Sequence, residues 1–464
     1  MKVLLVVHYF FPDHFYGTET YTLEVARDLR RRGYDVEIMS AMSPGEKGGQ
    51  EKLLFRYTYD GFTVHCVDFN FAPHNYFHQL YYRPEMYSFY HELLSTIAPD
   101  LMHVTHLMNH TAVILEAADA CAIPVVATLT DFFGICFNSR LSDVKGELCP
   151  GPNSSGSKCL HCYMEAIGSE ELARSFAVSR KLVDNSYFRR FSALCFTWLA
   201  KLPLGKKRGP LVQVRGLTER TEKLYNFYKI YRKMVAPTDF LHDAYVANRF
   251  PEEKMVKINF GINWDVVADF RTVRKYDTTR PLRFGYIGQL ADHKGVDMLV
   301  QSFKAVGGDK ELLLYGSPGP GSPYYEKLVE ICAGDRSVIF AGTFPETELG
   351  KRLSEIDVLV IPSRWHENSP LVLLYALATR TPVIVSAVKG MTEFVRDGEN
   401  GLTFKRGSLA DLTRVMGLIM ENPAIIEGFS ERADYRKTIS DHVDEIENIY
   451  REIQPLMGTG SSSL

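Results

Sequence analysis

The 464-residue sequence lacks a strong charge of either sign: 53 Lys and Arg stand against 56 Asp and Glu, a net charge of −3. So even a balance gives no general electrostatic reason to bind nucleic acid or an acidic membrane. No apolar run reaches the ~18 residues of a membrane span. The start, Met1 to Val7, has no small-residue cleavage site behind it, because His8, Tyr9 and further aromatics follow at once. It reads as a buried first strand and not as a signal peptide. A cytoplasmic protein is the expectation, with residence at the inner face of the membrane left open. No internal repeat is present beyond a shared topology of the two halves. Cysteine is sparse, with eight in all. Cys66, Cys121, Cys195 and Cys332 sit apart in apolar contexts and read as buried small hydrophobes.

What is present is a soluble globular composition, 45% hydrophobic and 23% charged, in a chain long enough for two domains of roughly 200 residues. The first third alternates strand and helix. Val3 to Val7, Val36 to Ser40, Leu101 to Val104 and Pro124 to Leu129 read as strands, with helices over Thr20 to Arg32 and around Ala112 to Ala122. That is a doubly wound parallel sheet, whose ligands sit at the carboxyl ends of strands. Alternation breaks over residues 131–230. It resumes where the strand at Met234 to Ala236 enters a helix capped by Thr238, and Val256 to Ile262 reads as the last strand of the first domain.

Two stretches in the C-terminal half carry the most chemistry. Gly288-Gln289-Leu290-Ala291-Asp292-His293-Lys294-Gly295 follows the apolar run Leu282 to Ile287 and opens a helix over Val296 to Ala305. Glu367-Asn368-Ser369-Pro370-Leu371-Val372 follows Val358 to Ile361 and opens a helix over Leu371 to Ala378. Both predict a strand end feeding a helix N-terminus, where free N–H groups and partial positive charge suit phosphate. Lys294 adds a point charge at one. Asn368, Ser369 and Pro370 form a cap and first turn at the other. Two anion-ready helix ends in one sheet, with an acid beside one, point to a sugar nucleotide.

This pair resembles the retaining glycosyltransferases of family four, which have the GT-B fold. There a Gly-Arg-Leu-x3-Lys-Gly turn holds the donor diphosphate and a Glu-x7-Glu segment holds the donor sugar and ribose. Lys294 and Glu367 match that pattern. Gln289 stands where Arg is usual, and Tyr375 where the second Glu belongs. The resemblance implies two Rossmann-like doubly wound α/β domains facing a cleft: residues 1–262, with the insert at about 131–230, and 281–430. A linker at 263–280, C-terminal helices at 431–456 crossing back to the first domain and a tail at 457–464 complete the expected plan. It implies donor-side roles for Gly17, Gln289, Gly316, Asn368, Ser369, Pro370, Leu371 and Tyr375, and catalytic roles for Lys294, Glu367 and His106. Glu19, in the turn Gly17-Thr18-Glu19, and Asp131, at the end of the strand through Leu129, fall on the acceptor side. His103 and His110 are weaker neighbours of His106. Glu393 and the turn Gly398 to Gly401 read as structural, and Arg364 and His366 as either site-lining or solvent-facing.

The remaining cysteines, Cys136, Cys149, Cys159 and Cys162, end in a Cys-x2-Cys pair. That suits a structural zinc tetrathiolate, with an iron–sulfur site, disulfides or reduced thiols as the other readings. Some bacterial glycosyltransferases similar to this chain carry such a four-cysteine insert. The segment from Phe188 to Arg208 mixes aromatic and basic residues, and reads either as a surface helix packed on the first domain or as a membrane contact.

These expectations converge on a transferase that moves a hexose-type sugar from a nucleotide-sugar donor to a glycan or lipid-linked acceptor, with retention. No catalytic metal is needed, and no side-chain nucleophile is evident, so front-face attack assisted by the leaving group is expected. The rivals are a nucleotide-sugar epimerase or phosphorylase of the same fold, and a non-catalytic sugar-nucleotide or glycan-binding partner subunit.

Overall fold

The structure is a computed structural model and describes residues 1–46, 52–167, 170, 179–202, 209–318 and 321–453. Gly319, the Lys206-Lys207-Arg208 run and the expected tail lie outside the described residues. The chain forms two compact units. One takes Met1–Pro237, Leu241–Ile258 and the C-terminal stretch from Val443; the other takes Thr238–Phe240 and Asn259–His442.

The first unit is built on eight strands: β1 (Lys2–Val6), β2 (Asp35–Met42), β3 (Leu54–Tyr59), β4 (Phe62–Asp68), β5 (Leu101–Val104), β6 (Val125–Thr128), β7 (Lys233–Ala236) and β8 (Met255–Lys257). Their order is β3-β4-β2-β1-β5-β6-β7-β8. All neighbours run parallel except β3 and β4, which pair antiparallel. The sheet reverses its winding at β1, which has β2 on one side and β5 on the other. This is the topological switch point at which open α/β sheets bind ligands. The apolar runs of β1, β5 and β6 are buried throughout or nearly so, as helices on both faces require.

The second unit holds β9 (Leu282–Ile287), β10 (Lys310–Tyr315), β11 (Val338–Gly342), β12 (Val358–Ile361), β13 (Val383–Ser386) and β14 (Gly401–Phe404). These pair in the order β11-β10-β9-β12-β13-β14, all parallel. Its switch point lies between β9 and β12. Phe284, Leu299, Phe303, Leu314, Val360 and Ile384 are among the fully buried residues of its core.

Several boundaries differ from the expected plan. The strand expected over Val256 to Ile262 is only Met255–Lys257. Beyond it, the Ile262 backbone bridges to Thr438, and the Tyr435 hydroxyl donates to the Phe260 carbonyl. These contacts draw the chain from Asn259 into the second unit. The stretch 263–280 is not a solvated linker, because its arginines are committed: Arg271 reaches the Ala378 carbonyl at 2.7 Å and Asp434 at 2.5 Å, and Arg274 is buried. The helix Ile439–Ile453 joins the first unit from Val443 onward. Its Asp444 and Glu447 take Arg32, and the Tyr450 hydroxyl meets His103 Nδ1 at 2.6 Å. At the start of the helix Asp239–Ala247, Glu393 accepts the amides of Asp239 and Phe240 at 2.9 and 2.8 Å, and the Thr238 hydroxyl donates to Asn368 at 2.6 Å. Cys121 and Cys195 are half-buried, where burial was expected.

Candidate functional site

In the second unit the carboxyl ends of β9 and β12 bring Lys294 and Glu367 together. Lys294 Nζ donates to Glu367 Oε1 at 2.7 Å and lies 4.6 Å from the centre of the Trp365 ring. Ser363 Oγ donates to the same carboxylate oxygen at 2.7 Å. Glu367 is 7% exposed. Burial alone would raise its pKa, yet the Lys294 charge and hydrogen bond, with Trp365 and Ser363, hold it below the ordinary carboxylate value. The pair is therefore an ammonium and a carboxylate. Beside it Arg364 is not solvent-facing: it bonds Asp292 at 2.9 Å and Asp297 at 3.0 Å.

The turns that frame this pair are tight. Gly316 follows β10 at φ 154°, and a Cβ there would lie 1.9 Å from the Gly288 carbonyl oxygen, so only glycine fits. Gln289 is half-buried, and its carbonyl accepts the Tyr286 hydroxyl at 2.7 Å. The helix Val296–Ala305 starts at Gly295 with no side-chain cap. An end with free N–H groups was expected, but it is not open throughout: the Asp297 amide donates to the Tyr324 hydroxyl at 2.9 Å, and the buried Asp297 carboxylate fills the first turn. Positive charge at this end is thus supplied chiefly by Lys294.

The other helix end departs from expectation in a different way. Ser369 has a left-handed φ of 59°, so the N-cap position falls on Pro370, which has no hydroxyl to offer. The Ser369 hydroxyl is buried without a hydrogen bond, and Asn368 Oδ1 accepts the Thr238 hydroxyl. The N-cap residue thus gives the helix beginning at Leu371 no side-chain cap, which leaves its dipole for another partner. Tyr375 is buried, and its hydroxyl accepts the Asn263 amide at 3.1 Å. It ties down the chain entering the unit, whereas a donor-side residue was expected.

In the first unit the switch point gathers a second cluster. His106 follows β5, and its Nδ1 accepts the Met108 amide at 3.0 Å while Nε2 faces Asp131 Oδ2 at 2.9 Å. A nitrogen that accepts a backbone N–H carries no proton, so neutral His106 holds its proton on Nε2, toward Asp131. His8, which follows β1, lies against His106 with ring centres 4.2 Å apart, and its Nε2 is 3.5 Å from Glu19 Oε1. Glu19 is 2% exposed, and burial pushes its pKa up to about 7. Burial, and after it the neighbouring histidines, push His8 well below the ordinary histidine value. Burial would raise Asp131, but His106 and the Phe133 amide bring it below its ordinary value. Gly17 opens the helix Gly17–Arg31 and is exposed, with nothing within 4 Å of where a Cβ would point. A small cavity beside β5 and β6 is lined by His106, Thr130, Asp131, Phe133 and Tyr245. His103 and His110 are structural: His103 is held by Tyr450 and Thr128, His110 by Tyr90 and the Val7 carbonyl.

Cys136, Cys149, Cys159 and Cys162 are all free thiols, close enough that the other three help push Cys159 to about 12, after burial. Among the described residues no three His, Cys, Asp or Glu side chains already stand as a metal-binding group. Sequence reasoning assigned no role to Ser363, Trp365 or His8. The signal for each was its place just beyond a strand end at a switch point.

The chain matches the family described as Glycosyltransferase Family 4 over residues 15–142 and the family described as Glycosyl transferases group 1 over residues 272–439. It is 25% identical over 175 residues to the alpha-D-kanosaminyltransferase of Streptomyces kanamyceticus, a match covering 36% of this chain and 45% of that protein. It is 24% identical over 270 residues to the capsular polysaccharide biosynthesis glycosyltransferase CapM of Staphylococcus aureus, covering 51% and 68%. The match to the first of these relatives spans less than half of that protein's length. Anabaena HepE, solved in complex with UDP and glucose, shares the fold at a TM-score of 0.63 and 14% identity, covering 97% of this chain and 100% of that one. With one family match on each sheet and a fold shared over nearly its whole length, the chain belongs to the family-four, group 1 glycosyltransferases of the GT-B fold.

Proposed function

We propose that the protein transfers a hexose-type sugar from a nucleotide-sugar donor to a glycan or lipid-linked acceptor in surface polysaccharide or glycoconjugate synthesis, retaining the anomeric configuration. The observation that carries this reading is the Lys294–Glu367 pair, 2.7 Å apart, at the switch point of the second sheet. A diphosphate takes the ammonium while the sugar's hydroxyls donate to the carboxylate, so one ligand replaces both halves of the pair. Lys294 then stabilises the charge that grows on the leaving diphosphate, and the uncapped helix end at Leu371 favours the same anion. Glu367 orients the donor sugar. His106, held by Asp131, and Glu19 act on the acceptor side. Gln289 donates a hydrogen bond without charge, and Gly17 and Gly316 let the ligand approach the backbone.

Thermal-shift screening against a panel of nucleoside diphosphate sugars tests the reading, because a ligand of the folded state raises apparent stability by RT ln(1 + [L]/Kd). NMR of the product then reads the anomeric configuration. Failure of every panel member to shift the melt would remove the donor site. Donor binding without transfer would favour the partner-subunit reading, which Gln289 in place of Arg and the engaged Tyr375 hydroxyl support.

We also propose structural zinc on Cys136, Cys149, Cys159 and Cys162, with no metal at the chemistry. The Gly151 amide donates to Cys149 Sγ at 3.4 Å. Arg220 is buried near Cys136 with one guanidinium nitrogen lacking any hydrogen bond. Its charge would balance thiolates.

A further inference from the structure

The helix Ser186–Lys201 is packed inside out. Its buried residues are Arg189, Ser192, Ala193, Thr197 and Ala200, nearly all small, and they lie against the helices Ser157–Ala166 and Pro210–Thr218. Its large apolar residues face solvent: Tyr187 is 85% exposed, Phe191 66%, Leu194 52% and Trp198 64%. At ~100° per residue these four fall within about 60° of one another, a single stripe along the helix. Soluble surfaces rarely leave such a stripe bare. Arg190 and Lys201, both exposed, fall at one edge of it.

Charge identifies the occupant. The helix contains no acidic residue, and residues 180–215 carry nine Lys or Arg against one acid, Asp184, in a chain whose net charge is −3. An aromatic stripe edged by cations, set in a basic segment, fits the headgroup boundary of an anionic bilayer: the rings enter the acyl edge and the cations meet lipid phosphate. We propose that this helix docks the protein flat on an anionic membrane surface. The segment was expected either to pack or to touch a membrane, and the structure shows that its packed face leaves the aromatic face unused. This inference stands apart from the transferase reading, since no residue in it belongs to either cluster at the strand ends.

The test is co-sedimentation of the full chain with vesicles of phosphatidylcholine alone and of phosphatidylcholine mixed with phosphatidylglycerol. Wild type is compared with the double variants Phe191→Ser/Trp198→Ser and Arg190→Glu/Lys201→Glu, with unfolding midpoints measured in parallel. The four positions are exposed, so the fold is expected to survive. Expected are binding to the mixed vesicles that weakens with salt and a partition lowered at least ~tenfold in each double variant. A wild type that binds neither vesicle, or binding that both double variants retain, would overturn the proposal. So would self-association in solution that Phe191→Ser/Trp198→Ser abolishes without vesicle binding, which would assign the stripe to a second copy of the chain.

Discussion

Replacing Lys294 with Met removes the ammonium and keeps most of the stem, so the change falls on Glu367. At 2.7 Å and an effective dielectric of ~20, the gross attraction is about 6 kcal/mol, most of it offset by desolvation of the buried carboxylate. The net loss is smaller, roughly 2–4 kcal/mol, because the Ser363 hydroxyl still serves the carboxylate and Lys294 is partly solvated. The sign with pH follows from the lowered Glu367 pKa. In wild type its contribution is present above the ordinary carboxylate pKa and is lost as pH falls through the depressed folded value. In Lys294→Met burial acts nearly alone and the folded pKa rises. The deficit should then be largest above neutrality and shrink toward pH 5, as Glu367 takes a proton. Adding Glu367→Gln should restore part of the stability, with a coupling energy above about 1 kcal/mol. Denaturant unfolding of the four proteins at pH 8 and pH 5 measures the cycle. Calorimetry with the best nucleoside diphosphate should show a loss of roughly 10- to 100-fold in Lys294→Met, for one charge-assisted contact. Additive single effects, the same at both pH values, would refute the argument.

Glu19→Gln should flatten the pH dependence of stability. With a folded pKa of about 7, wild-type Glu19 keeps a proton that the unfolded chain releases, so it costs up to about 3 kcal/mol as pH rises from 4.5 to above 7, and parallel curves for the two proteins would exclude this. Gly316→Ala should destabilise by roughly 2–4 kcal/mol, given the 1.9 Å approach to the Gly288 carbonyl, and a loss under ~0.5 kcal/mol would contradict it. Tyr375→Phe should cost about 1–2 kcal/mol by orphaning the Asn263 amide while leaving nucleotide affinity within about twofold; a larger affinity change would return Tyr375 to the donor site. Elemental analysis of protein purified without a metal-affinity column should find close to one zinc per chain, and four titratable thiols with no metal would reject the cysteine site.

The second sheet's strands β9 and β12, and the helices that follow them, were legible because each is a short apolar run punctuated by glycine or proline. The β3–β4 hairpin was missed although Asp60-Gly61 links its strands with both residues at positive φ, the dipeptide that favours such turns. Lys294 and Glu367 could be named from the motif, but their direct bond could not, since 73 residues separate them. Likewise Asn368-Ser369-Pro370 has the composition of a cap. Only the backbone sign at Ser369 decides that it is not one, and composition does not record that sign. The inverted packing of Ser186–Lys201 was hidden for a related reason: an amphipathic pattern says which residues share a face, not which face is covered.

The Glu367 main chain meets a neighbour in which nothing chemical is visible. Asn368 bridges to Gly390, and a Cβ at 390 would sit 1.9 Å from the Glu367 carbonyl oxygen. The carboxylate's position is thus gauged by one peptide resting on another, with no side chain between them to yield. A random-mutation survey of this protein should therefore record loss of function at a glycine whose φ is unremarkable and which no ligand needs to touch. Residue 390 belongs to the same lesion class as the acid it props.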